Sequence, residues 1–260
     1  MKKLLIICFL LFVFTSTTSG FIFVRGGGSD AADPDIKFWW RCESATLSTG
    51  DYSANDQVGT ETGSPAYNSD AGHVGTNGLD CSDGQKYVCF DIPDTAMDTD
   101  IRVGFWWDAV TFSTGEVVFF AFDDDKDWDN FIELKLTGDI NDVEITLKHE
   151  GNNDGGERTV STVGANMDPG NAGPYFIEFG IDQNADDGLN DNHTMEILVD
   201  GTEYSSAFST AIQSFGTEIA TFCFGTHSAG TYDWQLDHLL MSVDPSEDFS
   251  SHKNTDDYPW

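Results

Sequence analysis

The sequence predicts an all-β domain, a two-sheet antiparallel jelly-roll sandwich. Three observations carry that expectation. From residue 36 onward apolar and polar residues alternate with period two. Clusters of Gly, Asn, Asp and Ser interrupt the alternation at short intervals, and no stretch after residue 30 carries a 3.6-residue apolar period. The length of 260 residues suits one β domain of about 200–250 residues plus flanking segments.

The first segment reads as an address label. Met1-Lys2-Lys3 precedes the apolar run Leu4 to Phe14 and the small polar stretch Thr15 to Gly20. This is the layout of a secretory signal peptide, residues 1–20, with cleavage after Gly20. The competing reading is an uncleaved anchor from Leu4 to Val24, which the polar stretch in its middle weakens. The expectation is therefore a secreted or cell-surface protein with no membrane insertion after cleavage. Residues 21–35 follow as a β-prone segment, Phe21, Ile22, Phe23 and Val24, on a Gly-rich joint. Such a tethered strand suits addition to the sheet edge of a neighbouring copy.

The domain itself spans 36–245. Phe38-Trp39-Trp40 and Val117 to Phe122 are near-continuous apolar runs, as in strands covered on both faces. Val143, Ile145 and Leu147 alternate with Glu144, Thr146 and Lys148. Tyr175, Ile177, Phe179 and Ile181 alternate with Phe176, Glu178, Gly180 and Asp182, and Met195, Ile197 and Val199 with Thr194, Glu196 and Leu198. Each reads as a strand with one buried face and one face at least partly wet. Two hairpins are legible: 131–137 and 142–149 around a turn at 138–141, and 194–199 and 202–208 around Asp200-Gly201. Residues 246–260 read as an acidic C-terminal tail.

Charge and cysteines narrow the partners. With 12 Lys+Arg against 45 Asp+Glu the net charge is −33, which opposes a nucleic-acid ligand because phosphate contacts need cationic groups. Aromatics at 13% and hydrophobic residues at 39% are enough to build a core. After export, Cys42, Cys81, Cys89 and Cys223 remain, and four cysteines allow three full pairings. Cys42 and Cys81 bracket a polar loop and are the favoured disulfide. Cys89 and Cys223 sit in strand-like runs, where a bridge and a buried thiol are both open readings.

The order of landmarks resembles the concanavalin A-like lectin and glucanase superfamily, in particular its laminin-G-like branch. The carrying residues are Asn77-Gly-Leu-Asp-Cys81 with Lys86-Tyr-Val-Cys-Phe90, then Val103-Gly-Phe-Trp-Trp107. Pro174 to Asp182 with Met195-Glu-Ile-Leu-Val-Asp-Gly201 follow, and Ala220 to Gly225 with Trp234 to Ser242 close the series. The resemblance implies a jelly roll that commonly binds glycans or proteins, sometimes with calcium at its rim. It does not imply an activity, because such folds host lectins, enzymes and structural modules alike.

Catalytic signatures of that superfamily do not appear. Its glycosidases carry Glu-x-Asp-x-x-Glu on one strand, and no Glu-x-Asp occurs in this chain. The lyase branch wants an Arg strand and Gln-x-His; Arg is scarce and Gln-x-His is absent. The six histidines offer no His-x-x-x-His pair for a zinc hydrolase.

Two stretches concentrate oxygen ligands for Ca2+. Asp123, Asp125, Asp127 and Asp129 lie in 123–130, and Asp182, Asn184 and Asp186 alternate in 182–191. The competing reading is solvation of a very acidic surface. For a glycan, the candidate stacking rings are Trp39, set beside Lys37 and Arg41, Trp106, set beside Arg102 and Asp108, and Trp128 within the first acidic stretch. The reading reached is a secreted, non-catalytic binding module with an extracellular glycan as leading partner and calcium as a candidate stabiliser. The alternatives are a structural subunit of a fibre or surface layer that self-assembles through 21–24, and a diverged polysaccharide-degrading enzyme.

Overall fold

Among the described residues fifteen strands form where alternation, turn residues and β-branched or aromatic side chains coincide. They are β1 (Ile36–Trp40), β2 (Gly59–Thr62), β3 (Ala66–Asn68), β4 (Gly78–Asp80), β5 (Lys86–Asp91), β6 (Ile101–Thr111), β7 (Glu116–Phe122) and β8 (Phe131–Asp139). Then come β9 (Asp142–Glu150), β10 (Arg158–Ser161), β11 (Tyr175–Asp186), β12 (Asp191–Val199), β13 (Thr202–Phe208), β14 (Thr221–Thr226) and β15 (Asp233–Ser242). A 3-10 turn, Phe249–Ser251, follows. The structure, a computed structural model, describes residues 36–42, 59–69, 73, 77–82, 84–91, 100–112, 115–122, 131–150, 158–162, 167–168, 173–186, 191–208, 219–227, 233–251 and 253. They belong to the unit Asp33–Pro259. The signal peptide and strand Phe21–Val24 read from the sequence lie outside the described residues.

Every ladder is antiparallel. One sheet runs β13-β12-β11-β6-β15-β4-β3 with β1 also on β15, and the other runs β10-β9-β8-β7-β14-β5-β2. The two-sheet sandwich is the expected fold. The inner residues of β6 (Val103, Phe105, Trp107) and β11 (Ile177, Phe179, Ile181) form one core with Val88, Phe90 and Phe222 of the facing sheet. Phe119 meets Phe179 across the sheets at 5.1 Å between ring centroids, and Phe38 meets Phe90 at 4.8 Å. Edge-to-face rings of this kind add stabilisation beyond their buried area.

Both expected hairpins are present. Asp200 (φ 49°) and Gly201 (φ 81°) take the left-handed conformations of a two-residue type I′ turn. The β8–β9 turn is tighter than the sequence suggested, because Asp139 still pairs with Asp142 and only Ile140 and Asn141 are left to turn. Gly138, at φ 107°, is required there, since a Cβ would lie 2.1 Å from the Asp142 carbonyl oxygen.

β15 is the organising strand. One edge pairs with β6 throughout. The other is shared end to end by β4, at Gln235 and Leu236, and β1, from Leu239 to Ser242. Between the two partners the register shifts at Asp237/Leu240, and His238 takes φ 56°. The bulge interrupts the ladder with β6 at the point where the opposite edge passes from β4 to β1.

The disulfide expectation is corrected. Cys89 and Cys223 stand directly opposite each other on β5 and β14 and are bonded, with 4.0 Å between their Cα atoms. Cys42 and Cys81 are buried free thiols. Loop polarity suggested the wrong pair; cross-strand register decided the right one. Burial pushes the Cys81 thiol up to about 12 and the Cys42 thiol well above its ordinary value. Around the disulfide, on the outer face of the second sheet, Phe120, Phe122 and Phe131 form a separate cluster. His227 packs on Phe120 and Tyr87 with centroids 3.9 and 4.4 Å away, and burial lowers its pKa to about 3.

Candidate functional site

Alternation leaves the first sheet an outer face, and that face is divided into a closed half and an open half. The closed half was expected to be at least partly wet. Instead Phe176, Glu178, Leu240 and Phe249 are buried on it. The cause is the segment after β15, read from the sequence as running from the end of the domain into an acidic tail, which packs back across the strands. Phe249 sits over Gly104, where a Cβ would meet its ring at 2.7 Å. Gly180, the outward residue of the neighbouring strand, leaves room in the same way for Arg102 and the Pro245 carbonyl. Arg102 is held by Glu178 at 3.4 Å, by Glu196 in a close ion pair, and donates to the Pro245 carbonyl at 3.3 Å. Burial raises the pKa of Glu178, and the Arg102 guanidinium opposes that rise.

The open half lies toward the other end of the same strands. Register places Asp80 of β4 beside Gln235 of β15, and Gln235 beside Asp108 of β6. All three are half-buried. They form a row across three neighbouring strands, about 10 Å long from two inter-strand spacings. Asn68 donates from Nδ2 to Asp80 Oδ2 at 2.9 Å, and the Ser82 backbone N–H donates to Asp80 Oδ1 at 2.8 Å. The Ser82 hydroxyl donates to Asp233 Oδ1 at 3.0 Å. Asp237, on the same face as Gln235 by alternation and buried, accepts the His73 backbone N–H at 2.7 Å. These bonds orient the carboxylates of Asp80, Asp233 and Asp237.

Trp106 marks the boundary between the halves. Its indole N–H donates to the Lys253 carbonyl at 2.6 Å, its ring packs 5.1 Å from Phe176, and the exposed His73 ring lies 3.9 Å from it at 49°. The Lys253 ammonium lies over both rings, 6.0 Å from Trp106 and 5.3 Å from Phe176. Partial desolvation beside the Trp106 ring lowers the pKa of His73, against the pull of Asp108 and Asp200, which favours its neutral form. A row of carboxylates and side-chain amides beside a neutral ring supplies acceptors and donors for vicinal hydroxyls and an apolar edge for a ring CH face.

The rings singled out in the sequence are placed differently from expectation. Trp39 is fully buried, with Nε1 donating to His238 Nδ1 at 3.4 Å, so it offers no stacking face. Trp106 is 8% exposed and serves as a wall, not a platform. Strand alternation put both on the outer face correctly, but cover from elsewhere in the chain is invisible to a local pattern. Trp128, Asp123, Asp125, Asp127 and Asp129, and the side chains of Asn184 and Asp186, lie outside the described residues. Asp182, described and half-buried, ends the inward-outward run of β11. Among the described residues no group of three His, Cys, Asp or Glu gathers as a metal site. The row was missed because Asp80, Asp108 and Gln235 are far apart in the chain; outward parity beside Leu79, Trp107 and Leu236 was the one available signal.

No family model matches the chain, and no curated protein matches it. Solved structures match in fold. The binding domain of botulinum neurotoxin DC in complex with SialylT is 10% identical, with a TM-score of 0.59 over 84% of this chain and 50% of that one. This chain thus spans half the length of the toxin binding domain. Domain 4 of the extracellular GH43 arabinanase AbnA from Geobacillus stearothermophilus, in complex with arabinotriose, is 17% identical, with a TM-score of 0.56 over 80% of this chain and 93% of that one. Endo-β-1,4-glucuronan lyase from the fungus Trichoderma reesei is 13% identical, with a TM-score of 0.51 over 82% and 100%. At these identities the likeness establishes the sandwich fold.

Proposed function

We propose that this chain is a secreted, non-catalytic carbohydrate-binding module of the concanavalin A-like, laminin-G-like kind, with its glycan on the Asp80–Gln235–Asp108 row. The row carries the reading: three half-buried hydrogen-bonding side chains in register on adjacent strands, flanked by Asn68 and the His73 ring. Support in fold comes from the arabinotriose-bound arabinanase domain and the SialylT-bound toxin domain. Binding is favoured over catalysis because the sequence carries no Glu-x-Asp-x-x-Glu strand and because Glu178 and Glu196 are both engaged by Arg102. A buried disulfide fits an oxidising compartment. Calcium at 123–130 and 182–191 belongs to the same proposal, supported by the density of aspartate oxygens in those stretches.

The test is calorimetric titration with a panel of neutral tri- and hexasaccharides of the arabinan, xylan and β-glucan series. Asp80→Ala, Gln235→Ala and Asp108→Ala are each expected to weaken binding about tenfold or more. Melting should be nearly unchanged for Gln235→Ala and Asp108→Ala and lowered for Asp80→Ala, which loses the bonds from Asn68 and Ser82. Wild-type affinity in all three variants would remove the row from the proposal, and no binding across the panel would remove the glycan.

A second reading has one observation in its favour. Among the described residues β1, the first strand after the Gly-rich joint, is paired on one side only. That leaves an edge for strand addition by 21–24 of another copy. Filaments in negative stain that vanish on deleting 21–25 would favour assembly over free binding.

A further inference from the structure

We propose that the segment after β15, Val243–Ser251 with Lys253, is a displaceable strap on the second half of the ligand face, and that lifting it extends the saccharide site from the row onto Trp106, Phe176, Arg102, Glu178 and Glu196. This rests on the glycan reading above and adds its regulation.

The two halves are one surface. Trp106 and Asp108 are successive outward residues of β6, and Phe176 pairs directly with Trp106 on β11. Among the described residues the strap's contacts fall on Gly104, Gly180, Arg102 and Trp106, on the closed half. The strap joins no ladder: its own backbone bonds are local, from Glu247 N to Asp244 O and from Lys253 N to Phe249 O. Asp244 caps it by accepting from Ser246, and Asp248 accepts from Ser250. Ser246, Asp248 and Ser250 are exposed, and Phe249 is the one large apolar side chain it buries. Its carbonyls accept from the sheet at two described points, from Arg102 to Pro245 and from Trp106 to Lys253.

What lies beneath is poorly suited to permanent burial. Arg102 is 5% exposed, and its Nε has no hydrogen-bond partner among the described residues. Glu178 is 6% exposed beside it. A partly satisfied ion cluster is costly when dry and needs no compensation when wet. Charged hydrogen-bonding groups beside Trp106 and Phe176 repeat the chemistry of the open row, with a cation-on-ring contact from Lys253 occupying the place of a ligand. Gly104 and Gly180 complete the slot: both outward positions of adjacent strands lack side chains where the strap lies.

The experiment compares the full chain with one ending at Val243, using the same neutral tri- and hexasaccharides, with hydrogen exchange on the full chain. The full chain is expected to bind tri- and hexasaccharide equally. The shortened chain is expected to keep the trisaccharide affinity and to gain tenfold or more for the hexasaccharide. Strap amides are expected to exchange at least 100-fold faster than those of β6 and β15. Equal hexasaccharide affinity in both chains would overturn the strap while leaving the glycan reading intact. Strap protection equal to that of β15, or loss of cooperative folding on shortening, would overturn it as well by making the segment part of the fold. Failure of both chains to bind any member of the panel would remove the glycan reading and this one together.

Discussion

Phe249 rests on Gly104 so closely that a single added Cβ would stand 2.7 Å from its ring, and Phe176 would be 3.0 Å from the same atom. A glycine in the middle of a strand weakens it locally, so its presence at the centre of β6 is explained by what it admits. Gly104→Val is expected to destabilise the fold by about 1–3 kcal/mol through overpacking. Combining it with Phe249→Ala should cost less than the two changes summed, because the second removes the clash made by the first. Denaturant midpoints of the four proteins measure this; strict additivity would mean that the two residues do not meet.

Acid should weaken the protein through His227. Unfolded, its imidazole titrates near 6.5, whereas burial holds it at about 3 in the fold. The unfolded chain therefore binds the proton first. The contribution to stability is complete above pH 6.5 and is lost as pH falls towards about 3, on the order of a few kcal/mol. Glu178, whose folded pKa is raised, works in the opposite sense. His227→Phe should flatten the acid limb of a urea-midpoint profile, and an unchanged limb would assign the sensitivity to other groups.

The disulfide links residues 134 apart in the chain. Replacing Cys89 and Cys223 with Ser should cost about 2–5 kcal/mol by freeing the unfolded ensemble. In a chain starting at Phe21, the native fold should resist alkylation at Cys42 and Cys81, and denaturation should reveal those two thiols. Four thiols in the denatured, unreduced protein would contradict the pairing.

Calcium is checked by melting at fixed ionic strength with the ion and with chelator. Saturation at 100 times the dissociation constant should add about 2.7 kcal/mol, a shift of several degrees, which magnesium should not reproduce. Coincident curves would leave the carboxylates of 123–130 and 182–191 to solvation.

The inner half of the fold was legible because it obeys a local rule. Where Ile177, Phe179 and Ile181 face inward, period two is enough to say so. The Asp200-Gly201 turn declared itself through the same kind of short-range chemistry. The outer face did not, since its fate depends on strands and segments remote in sequence. Trp39 stands beside Lys37 and Arg41 in the chain, yet is buried against His238. Asp80, Gln235 and Asp108 became neighbours only when β4, β15 and β6 took their places in the sheet. Cysteine pairing failed for that reason too, because β5 and β14 meet through the topology and not through any loop between them.

The shared edge of β15 also sets how the molecule answers to force. β1 is antiparallel to β15, so Ile36 and Ser242, the outermost pair, lie at the same end. A pull between the N-terminal segment and the chain beyond β15 first peels the strap's contacts at Lys253, Phe249 and Pro245 and then loads that one pair. The ladder then opens like a zipper, pair by pair, instead of resisting in shear. The Cys89–Cys223 bond lies in the other sheet and off this path, so extension of the N-terminal segment with β1 is expected to begin at low force with the rest of the sandwich still folded.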